Sequence, residues 1–377
     1  MKIPAARGPV SSALAAALGR APHELAPEIA AGFVPDPAPA ADLAWVPHEV
    51  AAGSVPDPAP AADLAWTAHE VAAGFVPDPA LADEDLQLSL FVMYELSYRG
   101  WDGVDDRWEW QPSLIRLRAA AEQRFETALR ALAGPYRDAV PDPLTPASIA
   151  HTLTAMTGEQ GGPSLSRHLR GRGTLEQFRE FAAHRSVYQL READPHTFAI
   201  PRLSGAAKAA LVEIQIDEYG QGRAPRMHQE MFKATMTALG LDTTYGAYVH
   251  VAPALTLATN NLMSLFALHR HRRGALLGHL AAYEMTSTGP NRAYGNGLRR
   301  LGGDAGATRF YDEHVEADAV HEQLAAYDMC GEFCAAEPDR AADVLFGARC
   351  ALALDGLWAQ RVLDCWERGE SSLPGFV

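Results

Sequence analysis

Between Tyr311 and Gln323 the chain reads YDEHVEADAVHEQ, and three of these residues are spaced for metal chemistry. His314, Asp318 and His321 follow one another at intervals of four and three. On a helix turning about 100° per residue they fall at roughly 0°, 40° and -20°, a single narrow stripe. Two imidazoles and a carboxylate on one face make a poor apolar seam. They do supply the nitrogen and oxygen donors that iron and manganese take. Glu313, Glu316 and Glu322 make the segment polar all round, so a solvated helix face is the competing reading of the spacing alone.

A metal inside a helical bundle draws one or two ligands from each of several facing helices. Glu192 closes the apolar EQFREFAAHRSVYQLRE just ahead of ADPHTFAIP, and Glu218 sits near the end of AALVEIQIDEYG. His228 follows the break GQGRAPR. Glu284 lies inside the mostly apolar LLGHLAAYEMTST, where a charged residue calls for a partner. Each alone reads equally well as a cap, a surface charge or a satisfied polar group. With the stripe they amount to four carboxylates and three imidazoles, the inventory of a two-metal carboxylate site. Glu218 and His228 would stand about 80° apart on an unbroken helix, and Gly220, Gly222 and Pro225 predict a kink that lets both reach one place.

The elements that must position these residues are helical. LQLSLFVMYELSYRG carries a dense apolar stripe, and LIRLRAAAEQRFETALRALAG is strongly amphipathic at three- and four-residue spacing. Helical patterns continue almost to the C-terminus, broken by Gly and Pro clusters, and alternating strand-like runs are nearly absent. The expected fold class is all-α. GPNRAYGNGLRRLG, after Glu284, reads as a helix-breaking loop. Residues 1–82 differ: VPDPAPAADLAW begins at Val34 and again at Val55, with a partial copy from Val76, a period of 21 residues. Such Ala/Pro-rich units bury little and block long helices, so 1–82 is expected to be an extended or weakly helical tail. His48 and His69 recur with the repeat rather than with any ligand pattern. Residues 83–150 are expected to form a helical N-terminal subdomain and 151–377 the main bundle.

The balance of 47 Asp plus Glu against 32 Lys plus Arg, a net charge of -15, argues against nucleic acid or an anionic membrane as partner. No apolar run approaches the roughly 18–20 residues that span a bilayer. Cys330, Cys334, Cys350 and Cys365 lack zinc-knuckle spacing and read as reduced, mostly buried thiols of a cytoplasmic protein. VSSALAAALG near the start is interrupted by serines and makes a poor secretory signal.

The order Glu192, Glu218, His228, then His314, Asp318 and His321 resembles the haem-oxygenase-like di-iron oxidases over about residues 175–335. YELSYRGWDGVDDRWEW and READPHTFAIPRL resemble a branch described as iron-containing redox enzymes. The resemblance implies a haem-oxygenase-like bundle holding two Fe(II) ions, with Mn as the alternative metal and O2 as co-substrate. It implies Glu192, His228 and His321 on one ion, His314 and Asp318 on the other, and Glu218 bridging. Glu284 would join in the oxidised state, which makes Glu218 and Glu284 the catalytic carboxylates. The implied function is a non-haem di-iron oxidase or oxygenase of a small-molecule substrate. N-oxygenation, or oxidative C–C or C–H cleavage of an amino-acid or fatty-acid type compound, would fit, and both an external electron donor and a homodimer are compatible with it. The alternative from another class is a haem-oxygenase-like helical protein that binds a small molecule without redox chemistry. A ferritin-like centre would need two Glu-x-x-His motifs; Asp318-x-x-His321 is the nearest approach. Arg202, Arg226 and Arg292 lie close in sequence to ligands or loops and are candidates for binding a substrate carboxylate.

Overall fold

The computed structural model describes residues 1–25, 29, 78–158 and 164–376, without the side chains of 317–320. Every regular element among these residues is helical. Helix α1 spans Pro9–Leu18, α2 Glu84–Glu95, α3 Pro112–Ala133, α4 Pro146–Gly158, α5 Leu165–Gly171 and α6 Leu175–Gln189. Then come α7 at Gly205–Glu218, α8 at His228–Ala238, α9 at Ala254–Leu268 and α10 at Arg273–Arg300. Helix α11, Ala305–Gln323, runs on into a π-helical stretch at Leu324–Gly331, and α12 is Ala341–Glu367. None of the described helices is long and apolar enough to cross a membrane.

Local chemistry sets the ends of these helices. Asp83 caps α2 by accepting from the amides of Asp85 and Leu86. Thr174 and Gln177 form a capping box at the start of α6. In α3 the buried residues Leu114, Leu117, Ala121, Phe125, Leu129 and Leu132 follow the helical period. Helix α2 is instead buried on all sides from Leu86 to Glu95 and so serves as a hub of the core.

Helix α10 is the spine, packed against α11 and α12 along its length and against α5 near its end. Its crossing with α12 needs two glycines. A Cβ on Gly278 would meet the Val344 carbonyl oxygen at 1.9 Å, and one on Gly347 would meet that of Ala275 at 1.9 Å. Contrary to the expected loop, α10 continues through GPNRAYGNGL with Pro290 inside it. Gly297 there packs against the backbone of α5, where a Cβ would lie 2.7 Å from the Leu169 carbonyl oxygen. Tertiary packing overrides the local breakers.

Composition suggested a tail from residue 1, but residues 1–25 pack on the bundle. Val10, Leu14 and Leu18 are buried in the main core. Asp85 accepts from the amides of Val10 and Ser11 at 2.9 and 2.8 Å, and the Met1 ammonium lies 2.9 Å from Asp102. The first two repeat copies, with His48 and His69, and the start of the third lie outside the described residues. Core residues from 83–150 and from α9, α10 and α12 belong to one cluster, so the packing draws no line at residue 150. All four cysteines are buried and unpaired.

Candidate metal centre

Six of the seven expected ligands are brought together as two triads. Glu192, His228 and His314 can place one donor atom each within 4.8 Å of one another, and so can Glu218, Glu284 and His321. The seventh, Asp318, lies on α11 between His314 and His321, but its side chain is outside the described residues. The grouping differs from the one the resemblance implies: His314 stands with Glu192 and His228, and His321 with Glu218 and Glu284.

Backbone geometry explains how one short stretch supplies two ligands. Helix α7 stops at Glu218, and Gly220, Gln221 and Gly222 all take positive φ. A Cβ on Gly220 would come within 2.4 Å of the Arg226 backbone, so only glycine fits this turn. The chain reverses and α8 begins at His228, which sets its Nδ1 3.0 Å from Glu218 Oε2. Glu192 follows the end of α6, and Glu284 projects from the middle of α10.

The imidazoles are oriented by hydrogen bonds on their far sides. His314 Nδ1 lies 2.8 Å from the Phe310 carbonyl oxygen, so that nitrogen carries the proton and Nε2 faces Glu192 Oε1 at 3.8 Å. His321 is turned the other way. Its Nε2 donates to Asp217 Oδ2 at 3.1 Å, leaving Nδ1 3.4 Å from Glu284 Oε2. A carboxylate or carbonyl behind a histidine fixes which nitrogen is offered to a metal.

Electrostatics favours a cation here. Glu218 and Glu284 are buried and Glu192 is largely so, and desolvation raises the pKa of each, reinforced for Glu192 and Glu284 by the Glu218 charge. No Lys or Arg forms an ion pair with them among the described residues; their charged-type contacts are histidines. Burial pulls His321 down, but Glu284, Asp217 and Glu218 outweigh it and carry its pKa up to about 9. Among the described residues Glu192 Oε2 is buried without a hydrogen bond, while Glu218 Oε2 and His321 Nδ1 face only other members of the cluster, His228 and Glu284. Three mutually repelling carboxylates with unused donor atoms suit divalent cations, and the all-oxygen and imidazole set suits iron or manganese.

A cavity of about 560 Å³ opens on the cluster and is lined by Glu192, Glu218, Glu284 and His314 at that end. The three arginines singled out from sequence do not line it. Arg202 donates to the carbonyls of Ala267 and Leu268, while Arg226 and Arg292 are exposed. The arginine that lines the inner wall of the cavity is the half-buried Arg185, paired with Asp355. Sequence reading passed over both. The available signal was Arg185 seven residues before Glu192, two turns back on the same face of an apolar helix.

Comparison with known proteins agrees in kind. Residues 179–356 match the family described as iron-containing redox enzyme. Over 136 residues the chain is 26% identical to a nitrosourea synthase of Streptomyces achromogenes subsp. streptozoticus, a match covering 36% of this chain and 29% of that protein.

Proposed function

We propose that the two ligand triads of this chain, whose residues 179–356 match the family of iron-containing redox enzymes, hold two ferrous ions. On this reading the protein is a non-haem di-iron oxidase or oxygenase that uses O2 on a small organic substrate. The observation that carries it is the pairing of three largely buried carboxylates with three histidines and, among the described residues, with no Lys or Arg ion pair.

When bound, the two ferrous ions supply the electrons that reduce dioxygen. The chain's own residues do the rest. Glu192, His228 and His314 would hold one ion, and Glu218, Glu284 and His321 the other. Asp318, between His314 and His321 in the sequence, would be the seventh ligand. Glu218 lies 3.0 Å from His228 of the opposite triad and so would stand between the two groups of ligands. Among the described residues Glu284 has His321 as its ion-pair partner and no Lys or Arg, so its carboxylate would be available to a cation. The phenylalanine carbonyl behind His314 and the carboxylate of Asp217 behind His321 hold the rings in place. The named relative makes nitrosoureas, and N-oxygenation is accordingly one of the reactions this centre would perform, beside oxidative C–C or C–H cleavage.

The test is anaerobic titration of metal-free protein with ferrous iron, followed by mixing with oxygen in a stopped-flow spectrometer. Uptake of about two irons per chain, with a visible absorption transient lost in His314→Ala, is the expected outcome. No uptake, or uptake indifferent to that substitution, would leave a helical small-molecule-binding protein without redox chemistry.

A further inference from the structure

The cavity has a second charged feature well away from the metal ligands. Arg185 precedes Glu192 by seven residues, about 10 Å along the helix axis. Its Nη2 lies 2.8 Å from Asp355 Oδ1, and its guanidinium sits 4.1 Å from the centroid of the Trp358 ring. Asp355 and Trp358 both come from α12, which gives this wall of the cavity one charged side chain and no metal ligand. Unlike a pair sealed in the core, these two side chains keep 19% and 35% of their surface accessible, and both line the cavity.

Two further observations bear on what enters. Arg167 and Arg170 line the same cavity and are exposed, so its outer side is cationic and draws in a carboxylate first. Gln189 Oε1 and Tyr311 Oη belong to lining residues, are buried, and make no hydrogen bond among the described residues. Such groups are costly beside an apolar ligand and favourable beside a polar one.

We propose that Arg185 and Asp355 form a head-group subsite that selects a zwitterion, carboxylate to Arg185 and ammonium to Asp355, with the rest of the molecule reaching toward Glu192 and Glu284. A simple fatty acid would meet Arg185 only in competition with Asp355, and its carboxylate would be repelled by the same aspartate. A simple amine would face the guanidinium. A molecule carrying both charges satisfies both partners and leaves the pair's electrostatics balanced. The fate of the rest of the molecule depends on the di-iron reading above; the binding preference does not.

The experiment compares three probes of equal arm length, L-norleucine, hexanoate and pentylamine, by calorimetry. It is run on metal-free protein, so that chelation by the amino-acid head plays no part, and repeated anaerobically on ferrous-loaded protein. Norleucine is expected to bind at least tenfold more tightly than either single-charge probe. Asp355→Asn should erase most of that advantage and improve hexanoate, and Arg185→Gln should weaken norleucine and hexanoate together. Equal binding of hexanoate and norleucine by the unaltered protein overturns the proposal, and this comparison stands even where a variant fails to fold. Unchanged norleucine binding in two folded variants overturns it as well. Ferrous uptake on the same samples separates the two ideas. Discrimination without iron uptake defeats the redox reading alone, and iron uptake without discrimination defeats the subsite alone.

Discussion

Arg191 and Glu192 are neighbours in the chain, yet the buried charge clusters they enter are built on opposite plans. Arg191, 1% exposed, meets Glu95, 0% exposed, at 3.6 Å, and its guanidinium stacks 4.4 Å from the Tyr98 ring. Glu95 also accepts from Tyr245 Oη at 2.7 Å and from the Arg99 amide at 3.3 Å. There the protein answers a buried carboxylate with its own cation. One residue on, Glu192 joins Glu218 and Glu284, whose ion-pair partners among the described residues are histidines. A fold able to bury a guanidinium at position 191 leaves three carboxylates beside it without one. The difference sets a self-sufficient structural cluster beside one whose composition supports the proposed metal centre.

The largest effect should come from breaking the closed cluster. Arg191→Met leaves Glu95 charged and unpaired in the core, a change that costs about 3–5 kcal/mol in comparable buried pairs. Urea unfolding measures it, and adding Glu95→Gln should recover most of the loss. A cost below about 1 kcal/mol would mean that Tyr245 and the Arg99 amide carry Glu95 without the arginine, and the contrast would lose its structural half.

Much of this arrangement was legible in the chain. The period of α3, the stripe of α11 and the break forced by Gly220, Gly222 and Pro225 follow from local geometry. What local pattern could not carry was anything decided by a distant partner. The grouping of His314 with Glu192 depends on the Phe310 carbonyl and on which ring nitrogen it occupies. Helix α10 persists through Pro290 because glycines let α5 and α12 approach it. Residues 1–25 look like a tail until Asp85 and Asp102 are found anchoring them. Arg185 looks like one more surface cation on α6 until α12 brings Asp355 and Trp358 to it, 170 residues later in the chain.

A third buried group sharpens the comparison, because it is kept neutral. His184, 2% exposed, has Nδ1 2.7 Å from Thr256 Oγ1 and Nε2 3.0 Å from Ser372 Oγ. Burial, with a smaller contribution from Arg185, lowers its pKa to about 3. The unfolded chain takes up that proton near pH 6.5 while the folded one does not. Stability is therefore full above about pH 6.5 and falls as the pH drops toward 3, by about 2 kcal/mol between pH 7 and pH 5. Urea unfolding at those two pH values, in the unaltered protein and in His184→Gln, reads this directly. An equal loss in both would assign the acid sensitivity to other groups.

The smallest effect tests the open cluster, and its sign matters more than its size. In metal-free protein Glu218 is a buried carboxylate whose ionised form is disfavoured by desolvation. Glu218→Gln keeps the shape and removes the charge, so the metal-free variant should be more stable by on the order of 1 kcal/mol at pH 7. Loaded with ferrous iron the order should invert. The unaltered protein gains about 2.7 kcal/mol at a hundredfold excess over the dissociation constant, and the variant, lacking one donor, gains less. Thermal unfolding of both proteins with and without ferrous iron gives four values and one crossing. Destabilisation of the variant in the metal-free state would place Glu218 with Glu95, as a carboxylate that the protein itself has already satisfied. A stabilised variant that crosses below the unaltered protein on adding iron is what distinguishes a ligand from a strut.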